Sequence, residues 1–293
     1  MPPPTFDGLL VLDKPGGITS RDAVDRALGW FPSGTRLGHA GTLDPLATGV
    51  LVLAVGAATR LVEYVQRMDK VYVSTFRLGA TSDTDDADGA ITERATDGPP
   101  LAAVESALAG FVGDVGQVPP AYSAVHVGGR RAHALARKGR VVELEARTVT
   151  IHAIDVVRYE FPWLEVEVRC GKGTYIRSLA RDVGERLGVG GLVQILRRTR
   201  IGPFRAEAGL TLEAGAEAAR AALLPPRAAL AELPVVTLTD ADARRLRQGQ
   251  RLGPLDVAEG EVVVVDGAGR LVAVAEAAAG VVRPVKVWPA GQN

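Results

Sequence analysis

The residues best suited to chemistry lie in one stretch, Gly38-His39-Ala40-Gly41-Thr42-Leu43-Asp44-Pro45-Leu46-Ala47-Thr48-Gly49. It is dense in glycine and threonine, yet it holds a carboxylate flanked by Leu43, Pro45 and Leu46. Glycines let a backbone come close to a ligand, and Pro45 biases Asp44 toward an extended conformation. On residue types alone two readings stand: an Asp-Pro turn with a solvated carboxylate, or a carboxylate held for catalysis. Other chemistries lack their residues. Gly171-Lys172-Gly173-Thr174 is the nearest echo of a phosphate loop, but Gly173 stands where Ser or Thr must hold magnesium. No G-x-G-x-x-G follows a strand, and there is no G-x-S-x-G elbow. His39, His126, His133 and His152 have no H-E-x-x-H or paired-cysteine context, so no metal is expected. Thr84 to Gly89 faintly resembles a calcium loop, but Thr84 takes the first ligand position and Ala95 the place of the bidentate Glu. Cys170, the one cysteine, excludes a disulfide framework or multi-thiolate site and reads as core sooner than as a nucleophile. A reaction without metal or cofactor must come from ordinary side chains.

The elements that position such residues follow from periodicity and punctuation. Gly8 to Leu12 is an apolar run stopped by Asp13-Lys14-Pro15-Gly16-Gly17, a strand and a turn. Thr19 or Ser20 caps a helix whose Ala23, Val24, Ala27 and Leu28 recur at helical spacing. Val50 to Val55 reads as a buried strand, followed by a helix near Ala57 to Gln66. Lys70 to Leu78 is β-rich, with Tyr72 and Phe76 on one face. The acidic stretch after it reads as an exposed loop. Helices are expected near Leu101 to Ala109, Arg131 to Lys138 and Tyr175 to Leu187, and strands over Thr148 to Tyr159, Trp163 to Cys170 and Leu192 to Ile201. Leu223 to Pro234, with three prolines, reads as a linker to a small β-rich module.

At 293 residues the chain has a prior of about two domains. The start lacks a signal peptide's basic and apolar regions, and no apolar run approaches the roughly 18 residues of a membrane helix, so a soluble, cytoplasmic protein is expected. The formal net charge is zero, from 34 basic and 34 acidic residues, which taken alone argues against a polyanionic partner. The charges are, however, sorted. Thr81 to Asp97 carries six acids and one base, His126 to Arg140 five bases and no acid, and Arg169 to Arg205 nine bases against two acids. Such stretches can form a nucleic-acid footprint or simply solvated arginine-rich faces.

The stretch G-H-A-G-T-L-D-P-L-A-T-G-V-L closely resembles the catalytic motif of TruB-type tRNA pseudouridine synthases. Other segments resemble that family in order: Leu10 to Gly17 its K-P motif, Asp69-Lys70-Val71-Tyr72 its tyrosine motif, and Asp83 to Gly89 its D-T-x-D-x-D-G segment. Val118 to Ala124 with Gly128 to Ala132, Lys172-Gly173-Thr174-Tyr175-Ile176-Arg177, and Leu196-Arg197-Arg198-Thr199 resemble three further motifs. These matches span about 200 residues in sequence order.

The resemblance implies roles by motif position. Asp44 matches the catalytic aspartate, Arg177 its arginine partner, and Tyr72 the tyrosine that stacks on the uracil and is a candidate proton acceptor at C5. Leu196 matches the apolar residue under the base, and His39 the histidine that fills the space left by the flipped nucleotide. Lys14, with Pro15, matches a motif supporting the site and is counted with Asp86, a loop residue, on the substrate side. So are Arg130, Arg131 and Tyr175, the last also scaffold together with Asp13 and Arg197. The implied reaction breaks C1′–N1, rotates the uracil and forms C1′–C5, at uridine 55 in the T-arm of tRNA. A carboxylate serves as nucleophile, on a base taken out of its stack, without cofactor or metal. The implied fold is mixed α/β (α+β), a mainly antiparallel central sheet with flanking helices over residues 1–231 and a PUA-like RNA-binding module over 232–293. A monomer with no obligate protein partner is expected. A non-catalytic T-arm chaperone and an ordinary metabolic isomerase are the alternatives. The intact Asp44, Tyr72 and Arg177 weigh against the first, and the basic stretch against the second.

Overall fold

The computed structural model describes residues 6–94, 97–123, 126–127, 130–131 and 144–289, the two short pieces by backbone alone. β1 (Gly8–Lys14) and β3 (Thr48–Val55) pair antiparallel, Gly8 opposite Val55 and Lys14 opposite Gly49. Both are apolar at successive residues because both faces are covered. Leu10, Leu12, Leu51 and Leu53 enter one core, and Leu9, Val11, Val50 and Val52 another on the opposite face. Between these strands lie α1 (Ser20–Leu28) and β2 (Leu37–His39). Thr19, not Ser20, is the N-cap, in a reciprocal capping box with Asp22. Ser20 is freed for another contact described below.

The helix expected over Ala57 to Gln66 begins instead as a 3-10 turn, Gly56–Leu61, and becomes helical only at α2 (Val62–Arg67). Asp7 accepts the Ala57 N–H at 2.5 Å at the start of that turn. There follow β4 (Lys70–Leu78), β5 (Ala80–Ser82), β6 (Ile91–Glu93), α3 (Leu101–Ala109) and β7 (Gly113–Gln117). Next are β8 (His126–Val127), β9 (Arg130–Arg131), β10 (Arg147–Glu160), β11 (Trp163–Cys170), α4 (Ile176–Arg186), β12 (Gly191–Ile201), β13 (Phe204–Arg205) and α5 (Gly215–Ala221). Arg131, expected to open a helix, pairs with His126 in the β8–β9 ladder. The rest of that expected helix, 132–138, lies outside the described residues.

The central sheet runs β1-β3-β12-β4-β11-β10-β7, with β2 added on β3 and β13 on β12. Its pairings are antiparallel except at Arg197–Thr48 and Arg198–Gly49, where β12 runs parallel to β3. This junction brings the end of the Asp44 loop against the middle of the sheet. On one face, α1, α3 and α4 bury Ala23, Val104, Ile176, Leu179 and Val183 against Tyr72, Phe76, Val166 and Leu196. On the other, α2 and the turn Pro226–Leu230 pack with the C-terminal part. The stretch expected as a linker is therefore packed: Ala229 and Leu230 are buried.

The C-terminal part is a separate four-stranded sheet in the order β14 (Val235–Thr237), β15 (Gly260–Val265), β16 (Leu271–Ala278), β17 (Val281–Val287), crossed by α6 (Asp240–Arg247). It has its own core around Leu246, Val262, Val272 and Val282. It also docks on α2. Arg67 pairs with Glu261 at 2.5 Å, Lys286 pairs with Glu63, and Trp288 is buried under the Arg60 guanidinium.

Candidate active site

Asp44 sits on the long link from β2 to β3, and three side chains from distant elements fix that link. Ser20 accepts the Leu43 N–H at 2.7 Å and donates to the Leu43 carbonyl at 2.9 Å. The fully buried Lys14 ammonium donates to the carbonyls of Pro15 and Ile18 at 2.8 Å and of Pro45 at 3.4 Å. Burial pushes the Lys14 pKa down to about 8 against the opposing pull of Asp44. Arg198 donates to the carbonyls of Gly41 at 3.1 Å and Thr42 at 3.4 Å. The carboxylate is thus held from behind by groups that bind the backbone of its neighbours on either side.

Arg177 reaches the carboxylate from the first turn of α4. Its Nη2 donates to Asp44 Oδ1 at 3.0 Å, and its Nε lies 2.9 Å from Oδ2, too oblique for a second hydrogen bond. The same guanidinium donates to the carbonyls of Thr84 at 2.9 Å and Tyr122 at 3.0 Å, and lies 3.3 Å from Asp86. Asp86 is buried, so the acidic stretch expected as an exposed loop is in fact tied inward. Its middle is held by Arg177 and by Arg181, which reaches Asp85 at 2.9 Å. Arg177 is itself 5% exposed against 32% for Asp44. The pair therefore has a buried, multiply bonded cation and a carboxylate with one side open. Charge-assisted bonds of this kind fix orientation.

Asp44 opens on a cleft of about 510 Å³. Tyr72 of β4 and Leu196 of β12 line it, both buried, and Arg177 and Tyr175 border it. Burial pushes the Tyr72 phenol up, partly offset by Arg198. Burial likewise raises Tyr175. Gln117 holds the entry to α4 by clasping the Tyr175 backbone, accepting its N–H at 2.8 Å and donating to its carbonyl at 3.1 Å.

The structure brings Asp44, Tyr72, Arg177, Leu196 and Tyr175 to one cleft and leaves three other expected residues off its lining. Lys14 stands behind the loop and Asp86 behind Arg177. His39 ends β2, half-buried, and burial lowers its pKa. The side chains of Arg130 and Arg131 lie outside the described residues. Arg197 turns to the opposite face and forms a two-pronged pair with Asp13 at 2.9 and 2.8 Å, a scaffold contact. Lys70, Arg147, Lys172 and Arg198 also line the cleft. For Arg198 a signal was present: on a strand, residue 198 shares the face of Leu196 and residue 197 does not.

The fold is shared with solved structures of H/ACA assemblies. One, a "Structure of H/ACA RNP bound to a substrate RNA containing 2'-deoxyuridine", superposes with a TM-score of 0.75 at 26% identity, covering 97% of this chain and 86% of that one. Three family models match in succession. They are the TruB family pseudouridylate synthase N-terminal domain over 31–176, the tRNA pseudouridylate synthase B C-terminal domain over 177–225, and the Pseudouridine synthase II TruB C-terminal region over 234–287. A tRNA pseudouridine synthase B of Thermobifida fusca (strain YX) is 45% identical, covering 96% of this chain and 98% of the relative. One of Burkholderia lata is 42% identical, covering 96% and 90%. The chain belongs to the TruB family of pseudouridylate synthases, enzymes that isomerise uridine to pseudouridine in tRNA.

Proposed function

We propose that the chain converts uridine 55 in the T-loop of tRNA, with Asp44 as nucleophile on a base flipped into the cleft. The observation that carries this reading is the asymmetry of the Asp44–Arg177 pair. One edge of the carboxylate is held by a buried arginine while the other remains open to a cleft whose wall is Tyr72 and Leu196. An arginine so placed keeps the carboxylate aimed. Tyr72 and Leu196 offer an aromatic and an aliphatic surface to a planar base that has left its stack. The reaction then breaks C1′–N1 and forms C1′–C5. The C5 proton departs, N1 gains a proton, and nothing is oxidised or lost. His39, which ends β2 next to Ala40 of the cleft wall, is suited to fill the helical gap left by the flipped nucleotide.

Two partly separate bodies serve this task. The part up to about residue 231 carries the chemistry. The module from 232 onward, PUA-like in its small β-rich sheet, adds RNA contacts. The enzyme acts in the cytoplasm as a monomer on one T-arm. Among the described residues no helix is long and apolar enough to cross a membrane. The direct test incubates the protein with unmodified tRNA and maps pseudouridine by carbodiimide-adduct primer extension. Asp44→Asn should give no product while binding tRNA as tightly as wild type. Product from that variant, or product at a T-arm site other than 55, would refute the reading.

A further inference from the structure

Arg198 is a buried cation that the chemistry above does not use. It is 2% exposed and sits on β12 in direct register with Tyr72 on β4, both on the cleft side of the sheet. Directly paired residues on neighbouring strands bring their side chains together. Its guanidinium has no carboxylate within ion-pair distance among the described residues. It donates to three carbonyls, from Nε to Val50 at 2.9 Å, from Nη2 to Gly41 at 3.1 Å and from Nη1 to Thr42 at 3.4 Å. Burying a charge without a counter-ion is costly, so core packing alone is a poor reason to place an arginine here. The three carbonyls show what the position achieves. One belongs to β3, and two belong to the loop two and three residues before Asp44. A single rigid fork ties the sheet, the nucleophile's loop and the neighbourhood of the Tyr72 hydroxyl together. The hydroxyl is pushed up by burial and pulled back by Arg198. Only a planar group with donors pointing in several fixed directions can do this; a lysine is a compact point charge.

We propose that Arg198 is a positioning residue for the isomerisation. It locks the loop that carries Asp44 onto the central sheet and sets that carboxylate relative to Tyr72. The inference rests on Asp44 and Tyr72 being the reacting pair of the cleft. A displacement of about 1 Å at a reacting group is enough to lower a rate roughly 100-fold.

The test uses the full chain and a tRNA transcript labelled with tritium at uridine C5, whose release reports turnover. Arg198→Lys should lower kcat by about 10- to 100-fold with KM within about twofold of wild type, since the loop moves while the RNA-binding surface stays. Arg198→Ala opens a space onto the cleft, and added methylguanidinium should restore turnover saturably; methylammonium should not. Unchanged kcat in Arg198→Lys would overturn the proposal. So would kcat and KM failing together with a lower Tm and no rescue, the behaviour of a residue that only holds the fold. Asp44→Asn run in parallel separates the two ideas. If it turns over, the reading of the cleft fails. If it is inert while Arg198→Lys is normal, only the role of Arg198 fails.

Discussion

Gly49 ends the loop that carries Asp44, and replacing it by alanine should injure both stability and turnover. Its φ is +103°, outside the region that L side chains adopt readily. An added methyl would overlap the Arg198 carbonyl oxygen and stand 2.9 Å from that residue's carbonyl carbon and 3.0 Å from its nitrogen. All three atoms are backbone of β12, at the parallel junction where Arg198 faces Gly49, so no flexible end can yield. The backbone conformation alone costs about 1–3 kcal/mol. Forcing a methyl into a closed space costs about another 1–3 kcal/mol. With an unfolding entropy near 2.1 cal/mol/K per residue over 293 residues, each kcal/mol moves Tm by roughly 1.6 °C. Gly49→Ala should therefore lower Tm by roughly 3–10 °C, and, by pushing β12 away, loosen the Arg198 hold on Gly41 and Thr42. Gly38→Ala is the control, since a methyl there meets nothing within 4 Å and the backbone is unstrained. Differential scanning calorimetry and tritium release from labelled tRNA measure the two effects. A Gly49→Ala protein that melts and turns over like wild type, or like Gly38→Ala, would refute the tight junction.

Stability should rise from pH 7 to pH 9. Lys14 and Lys70 are both pushed by burial to about 8, below the unfolded value, so the unfolded chain holds more protons in this window. Each lysine then adds about 1 kcal/mol. Cys170, raised by burial to about 11, works in the opposite sense and removes less than about 1 kcal/mol. Urea melts at the two pH values should differ by about 2 kcal/mol, and a flat or falling profile would contradict the buried lysines. Trp288→Ala should cost about 3–5 kcal/mol, because the indole fills the core shared by α2 and the C-terminal sheet. Limited proteolysis should then release the C-terminal part first, and an undiminished Tm would show that this packing contributes nothing.

What was legible in the sequence was local. The alternation of Trp163 to Cys170 and the continuous apolar run of Val50 to Val55 place both strands, and Thr19 marks the start of α1 by its spacing to Asp22. Leu101–Ala109 is helical as its composition suggests. The departures share one cause: a partner far away in sequence. Asp83 to Asp88 reads as solvated because nothing local neutralises it, yet Arg177 and Arg181 arrive from about a hundred residues downstream to bury Asp86 and hold Asp85. Pro225 to Leu230 reads as linker, but the α2 face and the second sheet give Ala229 and Leu230 somewhere to bury. β7, Gly-Asp-Val-Gly-Gln, carries no strand pattern and exists because β10 extends far enough to pair with it. Gly49 illustrates the same limit at the site. Its sequence suggested close approach to a ligand, and the group it approaches is β12.

Net charge behaves likewise. Of the nine bases between Arg169 and Arg205, Arg177, Arg181 and Arg197 are ion-paired. Arg198 is spent on carbonyls and Arg186 lies over the Phe111 ring at 4.4 Å. More than half of that stretch's bases are therefore tied into the scaffold, and its local surplus overstates the charge it offers a polyanion. The cleft does. Lys70, Arg147, Lys172, Arg177 and Arg198 line it, and Asp44 is the one carboxylate among the described lining residues. Low-dielectric walls around such a set concentrate the field in the cleft, while Asp13, Asp85 and Asp182 neutralise arginines outside it. A chain of zero net charge is thus compatible with an RNA substrate because its acids are used to anchor arginines in the scaffold, leaving the surplus of cations around Asp44.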